Sequence, residues 1–399
     1  MYNINLEGYV PVPNPATSDR IVAAHYYPAW QKGKAGFHRG FDDLHEFPER
    51  TPLLGYYDGD SPELCDWEIK WALEHGINCF IYCWYRWRDN MGKPLTKASL
   101  RLGEALHDGF FNARYSDMMS FAIMFEAQRD WGGTDKDDLI DNLMPFWIEN
   151  YFSKDNYLKI DGKPVLFVYD GHDQIKNALG TPEEQSRAFD ACRDMARDAG
   201  FNGMIFAVEY RADDLAPIED YRARGYDFSF AYCYRVKDKD LTNEHVIKEQ
   251  VRKTALRAEE IPDFFCPTAC ALWDPSPRFI TMPDRFTYER HSPLWTLSPE
   301  EFRRVIREMV NVVDVLPEDS YARRILMLDN WNEWDEGHYI MPSHEFGFGY
   351  LQAVREELTA RNNLPDYRLP QDIRPVNGIN KSWDAPDLSE ICRRKFDMM

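Results

Sequence analysis

Two glutamates three positions apart, Glu333 and Glu336, lie in the run Trp331-Asn332-Glu333-Trp334-Asp335-Glu336-Gly337. Paired carboxylates are what glycosidic cleavage uses, since one takes a proton while the other gives one. In a helix this spacing places both acids on one face; in a turn it lets them converge on one point. Indole faces stack on sugar rings, so Trp331 and Trp334 read as platforms beside the acids. The preceding apolar run, Ile325-Leu326-Met327-Leu328, reads as a buried strand. The acids therefore fall where a strand runs out into a loop.

The elements that must position such a site recur along the chain. Apolar runs without alternation are expected as strands at Ile21–Tyr27, Cys79–Tyr85, Ser120–Phe125 and Val165–Tyr169. Four more follow at Met204–Val208, Phe228–Tyr232, Cys266–Trp273 and Arg324–Asn330. Unbroken β-branched and aromatic runs mark parallel strands buried on both faces. Helical patterns lie between them. Three open on Ser or Thr followed by Pro, at Ser61-Pro62, Thr181-Pro182 and Ser298-Pro299, and the first two stop at Gly76 and Gly200. Strand and helix alternating about eight times predict an α/β protein, a (β/α)8 TIM barrel with long βα loops. A doubly wound open sheet is the alternative. The barrel with its N-terminal lead-in is expected over residues 1–362, and residues 363–399 as a C-terminal arm packed on it.

Barrel chemistry gathers at the C-terminal ends of the strands. Read in order, these ends supply His25, Tyr26 and Tyr27; Trp84 and Tyr85; Glu126; Tyr169 and Asp170; Glu209; and Tyr232. The seventh end supplies Trp273 and Asp274, with Arg278 just beyond, and the eighth supplies Trp331, Asn332, Glu333, Trp334 and Glu336. Aromatic rings interleaved with acids suit a sugar, the rings stacking on C–H faces and the acids binding hydroxyls. A single strand-end aromatic is ordinarily packing, and Asp170 is ordinarily an N-cap. Glu126 and Glu209 have few structural uses in a barrel mouth.

Composition narrows the partners. The 399 residues carry a formal charge of -20, which disfavours a nucleic-acid face. No apolar run reaches the roughly 20 residues of a membrane span. The N-terminus has no basic and apolar leader, so the chain as it stands is expected to be cytoplasmic, or periplasmic or extracellular if a leader has been removed. The 8 cysteines lie mostly in apolar runs without CxxC spacing, as buried free thiols. No Gly-rich strand-to-helix turn, HExxH or GxSxG occurs, and Asp58-Gly59-Asp60 reads as a turn. No metal and no cofactor is expected.

The chain resembles the family 99-like glycoside hydrolases, which include endo-α-mannosidases, endo-α-mannanases and WbsX-like proteins often labelled glycosyltransferases. The matching pieces are His25-Tyr26-Tyr27-Pro28, His75-Gly76-Ile77-Asn78-Cys79-Phe80 and Tyr157-Leu158-Lys159-Ile160-Asp161-Gly162-Lys163-Pro164-Val165. Trp273-Asp274-Pro275-Ser276-Pro277-Arg278 and Asn330 to Gly337 complete them. The resemblance implies a metal-free barrel that hydrolyses α-linked sugars with retention. It assigns Glu333 as base on the substrate's own 2-hydroxyl, giving a 1,2-anhydro sugar, and Glu336 as acid/base. A carboxylate nucleophile is the competing scheme. Where relatives carry an Asn-rich segment after the third strand, this chain has Phe125-Glu126-Ala127-Gln128-Arg129-Asp130-Trp131, expected to contact substrate. Asp335 is expected to raise the pKa of Glu336 by repulsion. A WbsX-type glycosyltransferase and a non-catalytic glycan-binding barrel are the alternative readings.

Overall fold

The computed structural model describes residues 8–30, 41, 44–128, 132–170, 173–234, 236 and 241–373. Eight parallel strands run around the barrel in chain order: β1 (Ile21–Tyr26), β2 (Cys79–Arg86), β3 (Ser120–Glu126), β4 (Lys163–Tyr169), β5 (Ile205–Glu209), β6 (Phe228–Phe230), β7 (Thr268–Ala269) and β8 (Ile325–Asn330). β1 pairs with both β2 and β8. The ring is completed between β6 and β7 by a parallel bridge from Ser229 to Phe265. There Ser229 N donates to Phe264 O and Cys266 N to Ser229 O, each at 2.9 Å. All eight predicted strands are present, and all eight residues of β2 are buried, as parallel strands under helices require.

The seventh strand is shorter than its apolar run suggests. The N–H groups of Ala271 and Leu272 turn to the carboxylate of Asp329, at 3.0 and 3.4 Å. Leu272–Trp273 then pairs antiparallel with Trp295–Thr296. The long run therefore splits into a barrel strand and a hairpin that leaves the barrel.

Helices cover the outside. In α1 (Pro62–Glu74) the Ser61 hydroxyl accepts from Leu64 N. Thr181 and Ser298 each form a reciprocal capping box, with Glu184 and Glu301, at the start of α2 (Pro182–Asp198) and α4 (Pro299–Val313). Thr242 caps α3 (Asn243–Glu260), and α5 (Gly349–Leu358) is the last long helix. Gly76 ends the first βα unit in a left-handed conformation, and a Cβ there would lie 2.2 Å from Thr359 Cγ2. Between β2 and β4 the helices are irregular, with π-turns at Ala105–Gly109, Leu139–Leu143 and Ile148–Phe152.

Below the barrel, Asn363 donates to Asn14 O and Glu74 O, and Lys70 pairs with Glu74 at 2.8 Å. Leu369 and Ile373 pack against the core. Beyond 373 the expected arm lies outside the described residues. Among the described residues no helix is long and apolar enough to cross a membrane. The seven described cysteines are free and buried; Cys392 is not among them.

Candidate active site

At the end of β8 the chain folds back at once. Asn332–Glu333 pairs antiparallel with His338–Tyr339, and a 3-10 turn at Trp334–Glu336 joins them. Gly337 closes the turn at φ 60°, where a Cβ would lie 2.5–2.8 Å from the backbone of Asp274. Asp274 N donates to Glu336 O at 3.1 Å. Only glycine admits this approach, so the hairpin is clamped against the β7 loop.

The clamp sends both glutamates toward the barrel axis. A carboxylate oxygen of Glu333, one of Glu336 and a ring nitrogen of His338 lie within 4.8 Å of one another. Such a triad has the donors for a metal, but a guanidinium already stands among its acids. Arg278 Nη2 donates to Glu333 Oε1 at 2.9 Å, its Nε to Asp335 Oδ2 at 3.0 Å, and its Nη1 to Glu336. A cation entering there would displace Arg278 from three carboxylates.

The other oxygen of Glu333 accepts from Tyr232 OH and, at 2.9 Å, from Asn330 Nδ2. Burial is the main force raising Glu333, to about 8; the charges of Glu336 and Asp335 add to it, and Arg278 and Tyr232 pull it back. Asp335 is fully buried and salt-bridged to Arg278. It serves to hold the guanidinium between the two glutamates. Burial also pushes the Glu126 carboxyl well above the usual range, with Glu333, Glu209 and Glu336 adding repulsion.

A cleft with about 200 Å³ of room opens over these groups. It is lined by Tyr27, Tyr85, Glu126, Tyr169, Tyr232, Trp273, Arg278, Glu333 and Glu336, and also by Gln128, Arg211, Met282, Arg285 and Phe286. The first nine are expected site residues from seven different strand ends. Of the last five, Gln128 belongs to the segment after the third strand that is expected to contact substrate, and Arg211 stands two residues past Glu209. Met282, Arg285 and Phe286 come from the β7 loop, where Met282-Pro283-Asp284-Arg285-Phe286 shows no periodicity that would mark a wall. Gln128 Nε2 reaches Glu126 at 3.4 Å, and Phe286 lies 4.9 Å from the Arg278 guanidinium.

Eight expected residues do not line this cleft. Trp331 is fully buried, its indole N–H donating to Glu68 at 3.1 Å and its ring against Phe80. Trp334 is fully buried against Tyr339, with its N–H directed to Tyr57 OH at 3.3 Å. Neither indole offers a face to a sugar: Trp331, at the bend between β8 and the hairpin, packs on Phe80 and Glu68, and Trp334, the first residue of the 3-10 turn, packs on Tyr339 and Tyr57. Asn332 accepts from Tyr27 N at 2.7 Å and so positions a cleft residue from beneath. Tyr26 donates to Glu68 on α1. Trp84 donates to Tyr151 OH and packs on Trp147.

His25 lies under the floor against the rings of Phe230 and Tyr232, and burial pushes it down to about 3, so it is neutral. Glu209 pairs with Arg211 at 2.6 Å and accepts from Tyr232 N. It presents Arg211 to the cleft in its own place. Asp274 is taken by Arg50 and by Ser276. Asp170 caps the helix Gln174–Leu179 through Gln174 N and Ile175 N, the bland role foreseen for it. Arg129, Asp130 and Trp131 lie outside the described residues.

A (β/α)8 barrel with acids converging at the C-terminal ends of its strands is the fold of TIM-barrel glycoside hydrolases. Residues 30–354 match the family described as Glycosyltransferase WbsX, and the chain belongs to that family, which is GH99-like. Among solved structures it is similar to a chain titled glycoside hydrolase-like protein, at a TM-score of 0.60 and 15% identity, covering 88% of this chain and 98% of that one. It is also similar to the GH99 endo-alpha-mannosidase from Bacteroides thetaiotaomicron, at 0.54 and 15%, covering 85% and 97%. At such identity these likenesses establish the shared barrel. Two strains of Xanthomonas campestris pv. campestris each have an uncharacterized protein WxcX, 22% identical over 400 residues and 23% over 394. These alignments cover 88% and 86% of this chain, and the chain spans about half the length of both curated relatives.

Proposed function

We propose that the protein is a retaining glycoside hydrolase acting on an α-linked glycan, mannan-like or related. The observation that carries this reading is the convergence of Glu333 and Glu336 on the floor of one aromatic-lined cleft. Their nearest ligand atoms lie within 4.8 Å. A pair that activates water on the opposite face of the sugar, as inverting enzymes do, needs about 6.5–9.5 Å between its carboxyl groups.

In the proposed cycle Glu333 is base to the substrate's 2-hydroxyl. It accepts hydrogen bonds from Tyr232 and Asn330 and faces Arg278, so its ionised form has three donors around it. The hydroxyl oxygen attacks the anomeric carbon, the exocyclic bond breaks, and Glu336 passes its proton to the leaving oxygen. A 1,2-anhydro sugar results. Glu336 then takes a proton from water as that water opens the epoxide, and Glu333 returns its proton to the 2-oxygen. Two displacements at one carbon restore the α configuration. The aromatic rings of Tyr27, Tyr85, Trp273 and Phe286 suit a sugar's C–H faces, and Glu126, Gln128 and Arg211 suit its hydroxyls.

A glycosyltransferase is favoured by the family's printed description. That reading needs a place for a nucleoside diphosphate; Arg285 and Arg211, the latter paired with Glu209, are cations on the cleft wall. The two readings part in one pair of assays. Hydrolysis of α-linked glycans by the wild type, lost in Glu333→Gln and in Glu336→Gln with folding intact, supports the hydrolase. Undiminished hydrolysis in either variant removes these residues from the mechanism. Tight calorimetric binding of GDP or UDP, with no hydrolysis, favours transfer. Glycan binding without turnover or nucleotide binding would indicate a non-catalytic barrel.

A further inference from the structure

Past the cleft residue Tyr85, the same strand carries an exposed tryptophan, Trp87. β2 ends at Arg86, but the chain stays extended through Trp87, at φ -68° and ψ 131°. Opposite it runs Leu100–Arg101, with Tyr85 facing Arg101 and Arg86 facing Leu100 in antiparallel register. Trp87 N donates to Ser99 O at 3.1 Å, so the ladder extends one step past the barrel rim.

Side chains alternate along this ladder. Arg86 turns to the far side, where it is fully buried, paired with Asp138 and donating to Gly133 O at 2.7 Å. That buried anchor holds the hairpin upright. Tyr85 lines the cleft; Trp87 lies outside that lining, and alternation along the ladder puts it on the side of Tyr85 and Arg101, about 6.6 Å further along the chain. The residue is 46% exposed, one of the exposed large hydrophobics among the described residues. The Arg101 guanidinium lies 5.1 Å from the ring centroid and fixes its attitude.

We infer that Trp87, braced by Arg101, is an outer sugar-binding subsite, and that the cleft therefore takes a glycan chain several units long. The inference rests on the reading of the cleft as a glycan site. A rigid, flat, apolar surface one sugar unit beyond Tyr85 gives a chain held at Glu333 and Glu336 a next place to stack. A monosaccharide or a single terminal unit would not reach it.

The test is calorimetric binding of α-linked manno-oligosaccharides, from disaccharide to hexasaccharide, to the full chain carrying Glu336→Gln, with and without Trp87→Ala. The expected result is affinity that rises with length, and a loss of roughly three- to tenfold on Trp87→Ala for the longest ligands only. Trp87→Phe should retain most of the gain. Thermal melting checks that Trp87→Ala is folded, which its exposure leads one to expect. Affinity that does not rise with length, or a rise that Trp87→Ala leaves intact, overturns the subsite. Equal loss on short and long ligands overturns it too, since that is a structural effect. Binding of no member overturns both this inference and the mannan-like reading. Length-dependent binding lost on Trp87→Ala, in a protein whose wild type does not hydrolyse these chains, upholds the subsite and defeats the hydrolase.

Discussion

The seven-residue turn after β8 has two faces that do opposite work. Toward the barrel axis, Glu333 and Glu336 meet Arg278, Tyr232 and the open cleft. Away from it, Trp331 and Trp334 are sealed among Glu68, Tyr57, Phe80 and Tyr339. Both faces carry buried polar groups, but their hydrogen-bonding states differ. Glu68 has its partners within the core: Tyr26 OH donates to one oxygen and Trp331 N–H to the other. Glu333 has its partners at the edge of the open cleft. The core face holds the turn in one shape, and that shape sets the distance between the two acids. On the proposed function, the site gains its precision from the face of the loop that is turned away from the cleft.

This contrast can be broken from either side. The largest effect belongs to the cleft face. Glu333→Gln or Glu336→Gln should lower turnover by about a thousandfold or more with little change in melting temperature, since each swap keeps size and some hydrogen bonding. Steady-state kinetics and thermal unfolding on the same preparations check this.

Next comes the residue that joins the faces. Arg278→Met removes one cation from three buried or half-buried carboxylates and should cost about 3–5 kcal/mol of stability as well as activity. Chemical denaturation would measure it, and a fully stable variant would show that the carboxylates take up protons without cost.

The core face predicts a different signature. Trp331→Ala leaves a cavity and an orphaned oxygen on Glu68, and should destabilise by about 3–5 kcal/mol. Trp334→Ala should behave likewise. Neither should selectively weaken sugar affinity in the protein that remains folded. A Trp334→Ala variant with wild-type stability and lost glycan binding would return that indole to the cleft.

The smallest effect is in pH. Burial first, then Glu336, raises Glu333 to about 8. A base must be ionised, so kcat/KM should fall as pH drops below about 8, well above the range of an ordinary carboxylate. Tyr232 donates to the ionised form and lowers this value. Tyr232→Phe should therefore move the acid limb upward, by up to about one pH unit. A limb that stays in place or moves down would mean that the titrating group is elsewhere.

Much of this architecture is legible in the residues. Strands buried on both faces leave unbroken apolar runs, so all eight could be placed, and reciprocal caps at Thr181 and Ser298 write helix starts into four residues each. The strand-end rule then led to nine of the cleft's lining residues. It over-reached where a side chain had a partner that sequence cannot show: Tyr26 and Trp331 on Glu68, Trp84 on Tyr151, Asp274 on Arg50, Glu209 on Arg211. Glu209 and Arg211 stand two residues apart, but the other partners are 42 to 263 residues away, and only the fold brings those together. Trp331 and Trp334 were misjudged for a local reason. The bend at Trp331 and the 3-10 turn at Trp334–Glu336 break the strand's alternation, so which side chains of the motif meet the core has no period that the sequence could show. The wall at Met282, Arg285 and Phe286 was invisible because an irregular loop has no period.

The central claim is that Glu333 and Glu336 cleave an α-linked glycan with retention. The most direct measurement is a proton NMR time course of the wild type acting on α-linked manno-oligosaccharides, read before mutarotation. The account predicts that the first reducing end to appear is the α anomer, and that neither glutamine variant produces it. Initial release of the β anomer, or cleavage that persists in either variant, would contradict it.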